Sequence, residues 1–237
     1  MDELQAIADR YERRKNAKPA AKYPAFSPFQ HFSRCEREFW YGRFLTEIFG
    51  ENKSISVLEI GAGEGGNIVF FRRFGIPARQ IWANDLLPDH VEILKCWLPP
   101  ENILAGDATA LDTQRKFDIV FQSTVFSSIL ENQFRRRLAE TMWRMTKPGG
   151  AVLWYDFEFN NPRNPDVRGV PWQEVRGYFP QATHVMKKKT TLAPPIGRRV
   201  GRLYNFLNFP FLRTHCVAAF KKDHSRPAIC SNGRGDH

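Results

Sequence analysis

The segment VLEIGAGEGGN, residues 57–67, decides the fold class of this chain. Its first four residues end the run ISVLEI at 55–60, which is short and mostly apolar and predicts a buried strand. Gly61, Gly63 and Gly66 then satisfy the spacing G-x-G-x-x-G, and a helix is predicted directly after them. Such glycines permit a tight turn and a close approach of the backbone to a ligand. The segment therefore predicts a ligand-binding turn between a strand and a helix.

The sequence on either side alternates between short apolar runs and helical patterns. Further strands are predicted at 81–85, 102–108, 117–123, 151–157, 183–193 and 214–222, and helices at 36–49, 67–74, 88–97, 132–145, 172–179 and 201–209. KPGG at 147–150 is predicted to be a turn. Strand–helix–strand units give right-handed crossovers and a parallel sheet with both faces covered. The predicted fold is an α/β, Rossmann-like, seven-stranded and mostly parallel sheet with helices on both faces and an antiparallel last strand.

The chain divides into three parts. Residues 1–50 are predicted to form an N-terminal helical lid or cap, and residues 51–222 the main domain. An insertion at 194–212 separates the last two strands, and the polar tail at 223–237 is predicted to be disordered. The aromatic residues of the first part suit either core packing under a capping helix or closure over a ligand.

Charge is distributed unevenly along the chain. The 237 residues include 35 Lys and Arg and 25 Asp and Glu, a net charge of +10, and residues 175–222 contain no acid. This asymmetry favours an anionic partner, although a solvated basic face explains it equally well.

No apolar run is long enough to span a membrane, and the N-terminus lacks a secretory pattern, so a cytoplasmic protein is expected. The four cysteines form no CxxC pair, so no metal site is expected.

Acidic residues near the glycines indicate the kind of ligand. Asp85 ends the second predicted strand, where a carboxylate can accept hydrogen bonds from two ribose hydroxyls. Glu59 and Glu64 lie beside or within the loop, and two carboxylates would repel a pyrophosphate. They suit a ligand with an ammonium or sulfonium group. An adenosine-containing cation is thus favoured over a dinucleotide.

Five blocks of sequence together resemble one family. They are E-x-G-x-G-x-G at 59–65, Asp85, GDA at 106–108, FDIVFQS at 117–123 and KPGG at 147–150. In order and spacing this set resembles the class I S-adenosylmethionine-dependent methyltransferases over roughly residues 55–157. WYDFEFNNPRNPDVRG at 154–169 is similar to small bacterial methyltransferases of polysaccharide or secondary-metabolite pathways. The resemblance implies S-adenosylmethionine as cofactor and S-adenosylhomocysteine as product.

The resemblance also implies a set of cofactor contacts after the first four strands. They are Glu59, Gly61, Ala62 and Gly63, then Asp85 and Leu86, then Asp107 and Ala108, and finally Gln122 and Ser123. In this scheme Gly61 and Gly63 line the methionine part, Asp85 takes the ribose hydroxyls, and Asp107 accepts the adenine amino group.

The acceptor is expected beyond the ends of the fourth and fifth strands. Asp156 is the favoured candidate for a catalytic base, although capping a turn suits it equally, and His31 is a weaker one. Tyr155, Asn160 and Arg163 are predicted to bind the substrate. A small-molecule or glycan acceptor, anionic or lipid-linked and methylated at oxygen, is expected.

Other interpretations remain open. The insertion at 194–212 mixes arginines with large apolar residues, which suits either peripheral membrane contact or core packing. An NAD-type Rossmann oxidoreductase would use the same glycine loop. An RNA methyltransferase could use the basic C-terminal region, but no nucleic acid is expected as partner because no RNA-binding module is present. A cofactor pocket also occurs in proteins without catalytic activity.

Overall fold

A computed structural model of the chain describes residues 2–16, 27–51, 54–111, 114–161 and 164–224. Seven strands form one sheet: β1 (Val57–Ile60), β2 (Ile81–Asp85), β3 (Ile103–Ala105), β4 (Phe117–Ser123), β5 (Thr146–Phe157), β6 (His184–Leu192) and β7 (Arg213–Lys221). Their order is β3-β2-β1-β4-β5-β7-β6. Strand β7 runs antiparallel to β5 and β6, and the pairs among β1–β5 are parallel. The predicted fold class is confirmed.

Helices cover both faces of this sheet. They are α1 (Glu3–Asn16), α2 (Pro28–Phe49), α3 (Ile68–Arg73), α4 (Pro88–Leu94), α5 (Asn132–Met145), α6 (Trp172–Tyr178), α7 (Pro194–Val200) and α8 (Tyr204–Leu207). Helix α2 begins at Pro28, eight residues before the predicted start at Glu36. Proline is favoured in a first helical turn because its fixed φ suits the helix and the turn needs no N–H there. None of the described helices is both long and apolar enough to cross a membrane.

Alternate residues of the central strands enter two separate cores. Leu58, Val120 and Trp154 pack in a core with α5 and α6. Val57, Phe121 and Tyr155, each one residue away, pack in the other core with α2 and α3. This period of two is what strands buried on both faces require.

Strand β5 begins earlier than predicted. It includes residues 147–150, which the sequence predicts to be a turn. The pairing of β4 with β5 shifts register between Phe117 and Ile119, and Gly149 has a φ of 79°. A left-handed backbone of this kind is common for glycine, and extra residues on one strand are accommodated as a bulge. The KPGG segment therefore bends the strand without ending it.

The carboxyl ends of β1, β2, β3 and β4 lie side by side at one edge of the sheet, because these parallel strands are neighbours. At the other side, β6 and β7 contact α2, and the segment from α7 to α8 packs on the start of α2 through Phe29, Leu192 and Tyr204. These two regions place most of the residues of the site described next.

Candidate functional site

A cavity of about 330 Å³ lies at the carboxyl ends of β1–β4. Most of the predicted cofactor residues line it: Gly61, Ala62, Gly63, Asp85, Leu86, Asp107, Ala108 and Ser123. The other two, Glu59 and Gln122, are fully buried behind this wall. Four loops separated in sequence thus form one concave surface.

The glycine loop is held in a conformation that side chains would disturb. Gly61 and Gly63 have φ values of 61° and 57°. A Cβ added to Gly61 would lie 2.6 Å from Cγ2 of Val125, so a side chain there would collide with the cavity wall. Ala62 N donates to the carbonyl of Asn84 at 2.9 Å, which ties the loop to the end of β2.

Asp85 is the most connected carboxylate of the cavity. Its Oδ2 accepts from Gly63 N at 2.7 Å, and its Oδ1 accepts from Leu87 N at 2.9 Å. Nδ1 of His90, on α4, lies 3.1 Å from Oδ1. The hydrogen bond with Asp85 raises the pKa of His90 above its ordinary value. His90 also lines the cavity and was not among the predicted cofactor residues. The one signal in the sequence that points to it is its position five residues after Asp85.

Glu59 carries an unused hydrogen-bond acceptor behind the glycine loop. Asn67 Nδ2 donates to Oε1 at 2.7 Å, whereas Oε2 has no hydrogen-bond partner. Burial raises the pKa of the Glu59 carboxyl to about 8. A buried acceptor without a partner is costly, and a cationic ligand group nearby would stabilise its ionised form.

The remaining predicted cofactor residues mainly shape their loops. Asp107 accepts from the backbone N of Thr109 at 2.8 Å and from its hydroxyl at 2.7 Å. Oε1 of Gln122 accepts from Val125 N at 2.7 Å, and its Nε2 has no partner. Both side chains fix the turn that follows their strand.

Helix α1 covers the mouth of this first cavity. Leu4, Ile7 and Tyr11 of this helix line the cavity. The helix is anchored by Arg10, whose Nη2 donates to Glu3 at 2.8 Å and to the carbonyl of Ser128 at 3.0 Å. Leu4, Ile7 and Tyr11 are not among the predicted cofactor residues, because the polar sequence of α1 does not indicate which part of the molecule the helix packs on.

A second cavity of about 290 Å³ adjoins the first. It is lined by Phe29, Gln30, Ser33, Arg34, Arg37, Thr124, Tyr155, Thr191, Pro194, Arg198 and His215. Arg37 and Thr124 line both cavities. The predicted substrate residue Tyr155 faces this space, and its hydroxyl lies 2.9 Å from Oγ1 of Thr191.

Three other predicted acceptor residues, all within the described ranges, line neither cavity. Asp156 is fully buried and accepts from the backbone N of Ser127 and of Phe157, each at 3.0 Å; burial raises its pKa to about 7. His31 is exposed on α2, 3.8 Å from Sγ of Cys35. Asn160 accepts from Gly169 N at 2.9 Å. Arg163 lies outside the described residues. The structure brings Tyr155 to the second cavity, and the roles of all five residues stay predictions.

Comparisons with known proteins connect this geometry to a family. The family described as "Methyltransferase domain" matches residues 57–150, which hold the glycine loop and β1–β4. A search of curated proteins found no match. Among the described residues, no group of three or more His, Cys, Asp or Glu side chains is placed to hold a metal ion.

Solved structures share the fold. The N-methyltransferase NodS from Bradyrhizobium japonicum WM9 in complex with S-adenosyl-L-homocysteine has a TM-score of 0.61 at 15% identity, covering 94% of this chain and 99% of its own. The sugar N-methyltransferase KedS8 from Streptoalloteichus sp ATCC 53650 has a TM-score of 0.55 at 13% identity, covering 78% and 87%. The amino pentose methyltransferase CalS10 from Micromonospora echinaspora has a TM-score of 0.52 at 13% identity, covering 81% and 94%.

Proposed function

Residues 57–150 are a class I S-adenosylmethionine-dependent methyltransferase domain, and from this premise we propose that the chain transfers a methyl group to an oxygen atom of a small-molecule acceptor. The observation that carries the proposal is the meeting of two cavities at Arg37 and Thr124. One cavity holds the predicted cofactor residues, and the other is open to an acceptor. The match to a methyltransferase domain decides against the NAD-type oxidoreductase.

The first cavity fits the cofactor chemically. The unpartnered Oε2 of Glu59 is a buried acceptor suited to a cationic group, and Asp85 is a carboxylate suited to ribose hydroxyls. When bound, S-adenosylmethionine supplies an electrophilic methyl group on a positively charged sulfur. Gly61 and Gly63 allow its methionine part to lie against the backbone, and Asp107 and Ala108 lie where the adenine ring is expected.

The chain's own contribution to the reaction is positioning. Transfer requires the acceptor atom about 3–3.5 Å from the methyl carbon, in line with the leaving sulfur. Tyr155, Thr191 and Thr124 form the wall of the second cavity that would orient the acceptor. Arginines in that wall favour loss of a proton from an acceptor hydroxyl, because positive charge stabilises the resulting anion.

Nitrogen is a second candidate for the methylated atom. NodS and KedS8 are named as N-methyltransferases, and their shared fold is the observation that favours it. The same arginines would hold an acceptor amine in its neutral, nucleophilic form, because they repel an ammonium ion. A glycan or secondary-metabolite precursor is consistent with these neighbours, of which CalS10 is described as involved in calicheamicin biosynthesis.

Contact with a membrane surface forms part of the proposal. Phe206, Phe209 and Phe211, here called the aromatic patch, are exposed beside Arg199 and Arg202. The same segment supplies Pro194 and Arg198 to the second cavity. A lipid-linked acceptor would reach the cavity from a bilayer that binds this patch.

Calorimetric titration with S-adenosylmethionine, S-adenosylhomocysteine and NADH tests the cofactor. We expect the first two to bind with one site and NADH to bind at least 100-fold more weakly. Incubation of the enzyme and labelled cofactor with pools of small hydroxylated and aminated compounds, followed by mass spectrometry, then identifies the methylated atom. Preferential binding of NADH, or methylation of RNA alone, would overturn the proposal.

A further inference from the structure

The second cavity is strongly asymmetric in charge. Arg34, Arg37 and Arg198 line it, and none of its lining residues is a carboxylate. His215 adds no charge near neutral pH, because burial and the adjacent Arg37 lower its pKa to about 3. Glu36, which precedes Arg37 on α2, accepts a hydrogen bond from the Tyr204 hydroxyl at 2.8 Å.

Glu36 is further tied by other polar contacts. Its Oε2 accepts from the backbone N of Thr191 at 3.0 Å, and its Oε1 lies 3.5 Å from Nε of Arg213. The Glu36 carboxylate therefore compensates Arg213 and the β6 backbone rather than Arg37.

Arg37 is the central cation of this wall. Its guanidinium lies 5.3 Å from the centroid of the Tyr155 ring, and the Tyr155 ring is stacked on His215 at 5.3 Å. Nε of Arg37 is buried and has no hydrogen-bond partner, and within the described chain Arg37 forms no ion pair. A guanidinium that lies over an aromatic ring and has a buried donor without a partner is an unusual arrangement, because such a group normally pairs with a carboxylate.

Backbone strain marks the same cavity. Thr124 and Thr191 have φ values of 60° and 57° and are the positive-φ residues other than glycine in the described ranges. Both line the second cavity. A β-branched residue in this conformation is a true outlier and is kept where the surrounding structure imposes it, often at a binding site. Thr124 N donates to the backbone carbonyl of Tyr155 at 2.8 Å, so the strained turn is fixed to β5 at the residue whose ring lies beside Arg37.

We infer that the second cavity binds an anionic group of the acceptor, a carboxylate or a phosphate, through Arg37 with Arg34 and Arg198 at its rim. This inference rests on the proposed function and names the substrate class of its acceptor site. Arginine presents a planar fork of donors that matches both anions. The anion anchors the acceptor, and its reacting atom extends towards Thr124 and the first cavity.

Three related sugars serve as probes that differ in charge. Glucuronate carries a carboxylate, glucose 1-phosphate carries a phosphate, and glucose is neutral. Each is titrated into protein saturated with S-adenosylhomocysteine, and the dissociation constant is measured by calorimetry at low salt. We expect one or both anions to bind at least tenfold more tightly than glucose, and the tighter one identifies the anionic group. Equal binding of all three, or binding of glucose alone, overturns the inference.

Variants locate the anion. Arg37→Gln is expected to weaken binding of the tighter anion at least tenfold, and Arg198→Gln at least threefold. Arg199 is the next residue along the chain and does not line the cavity, so Arg199→Gln should change the affinity less than twofold. Arg198 is exposed, so its variant keeps the test valid even if replacing Arg37 unfolds the protein. Equal losses in the Arg198 and Arg199 variants would mean unspecific attraction and would overturn the inference.

The two proposals fail separately. Wild-type protein that does not bind S-adenosylhomocysteine contradicts the methyltransferase function. The anion titrations are therefore repeated without the cofactor product, where tighter binding of an anion than of glucose still supports the arginine site. Normal binding of S-adenosylhomocysteine with no preference for anions contradicts the arginine site alone.

Discussion

At the scale of single residues, Asp85 links the glycine loop to the ligand cavity. It is 5% exposed and holds the backbone N of Gly63 and of Leu87. Asp85→Asn is expected to weaken S-adenosylmethionine binding by about 1–3 kcal/mol, because charge-assisted hydrogen bonds to ribose become neutral ones. Calorimetry measures the change. Asp89→Asn, an exposed carboxylate paired with Lys15, is the control and should bind normally. Unchanged affinity in the Asp85 variant would remove this residue from the cofactor site.

Glu59 gives the protein a pH-dependent stability. Its pKa in the folded protein is raised to about 8 from an ordinary value of 4.5. Between these values the unfolded chain loses the proton and the folded chain keeps it, so the free energy of unfolding falls as pH rises from about 5 to 8 and then levels. Glu59→Gln is expected to reduce this fall, by on the order of a few kcal/mol, because glutamine does not ionise. Urea unfolding at pH 5 and pH 8 measures it.

The matched control for that experiment is Glu64→Gln. Glu64 is an exposed carboxylate in the same loop, so its replacement should leave the pH dependence of the wild type in place. A Glu59 variant with the same pH dependence as the wild type would show that this carboxyl is ionised in the folded protein at pH 7.

The residues that line the first cavity were easier to predict than those that line the second cavity. Gly61, Asp85 and Asp107 each lie at or just after the end of a strand, and parallel neighbouring strands bring their ends together, so sequence position alone places them. Arg37 and His215 meet only because α2 packs against β7, a contact that no local pattern reveals. Alternation along β5 predicts correctly that Tyr155 and Asp156 face opposite sides, yet it does not tell which side holds the acceptor.

At the scale of elements, helix α1 is predicted to control access to the first cavity. It reaches the cavity through three apolar side chains and is anchored by the buried Arg10. Arg10→Met is expected to increase the dissociation rate of S-adenosylhomocysteine about threefold or more, because the helix loses its bond to the Ser128 carbonyl. Stopped-flow competition measures the rate.

Arg13 on the same helix provides the comparison. It is exposed, and its partner is Asp166 at 2.9 Å, outside the cavity. Surface ion pairs contribute little, so Arg13→Met should leave the dissociation rate within a factor of two. If the Arg10 and Arg13 variants release the product at the rate of the wild type, α1 is a static cap and the predicted lid is wrong.

The elements themselves could be predicted better than their boundaries. All seven strands were predicted. The central ones follow from apolar runs, because strands buried on both faces are nearly continuous in hydrophobicity, whereas the edge strand β6 carries three lysines and is only partly buried. The start of α2 was missed since Pro28 and the aromatic residues after it resemble a turn, whereas burial of Phe29 against α7 makes them helical. The early start of β5 depends on a register shift with β4, which is a property of two strands together.

At the scale of the whole molecule, the uneven charge noted in the sequence gathers at one end of the sheet. The basic region supplies β6, β7 and the segment between them, which holds the aromatic patch and also contributes Pro194 and Arg198 to the second cavity. Phe206 is 81% and Phe211 80% exposed, and the rings of Phe209 and Phe211 stack at 5.7 Å. Exposed aromatic rings beside arginines match the composition of surfaces that bind anionic bilayers.

Vesicle binding tests this surface. Phe211→Asp is expected to reduce co-sedimentation with vesicles containing phosphatidylglycerol at least fivefold, because an aspartate removes apolar contact and adds repulsion from the lipid charge. Phe39→Asp is the matched control: Phe39 is 61% exposed on α2, outside the patch, and its variant should bind vesicles like the wild type. Binding should also weaken as salt rises from 50 to 500 mM, because screening shortens the reach of the arginines. If wild-type protein does not sediment with these vesicles at low salt, or if both variants lose binding equally, the aromatic patch does not contact membranes, and the acceptor must reach the cavity from solution.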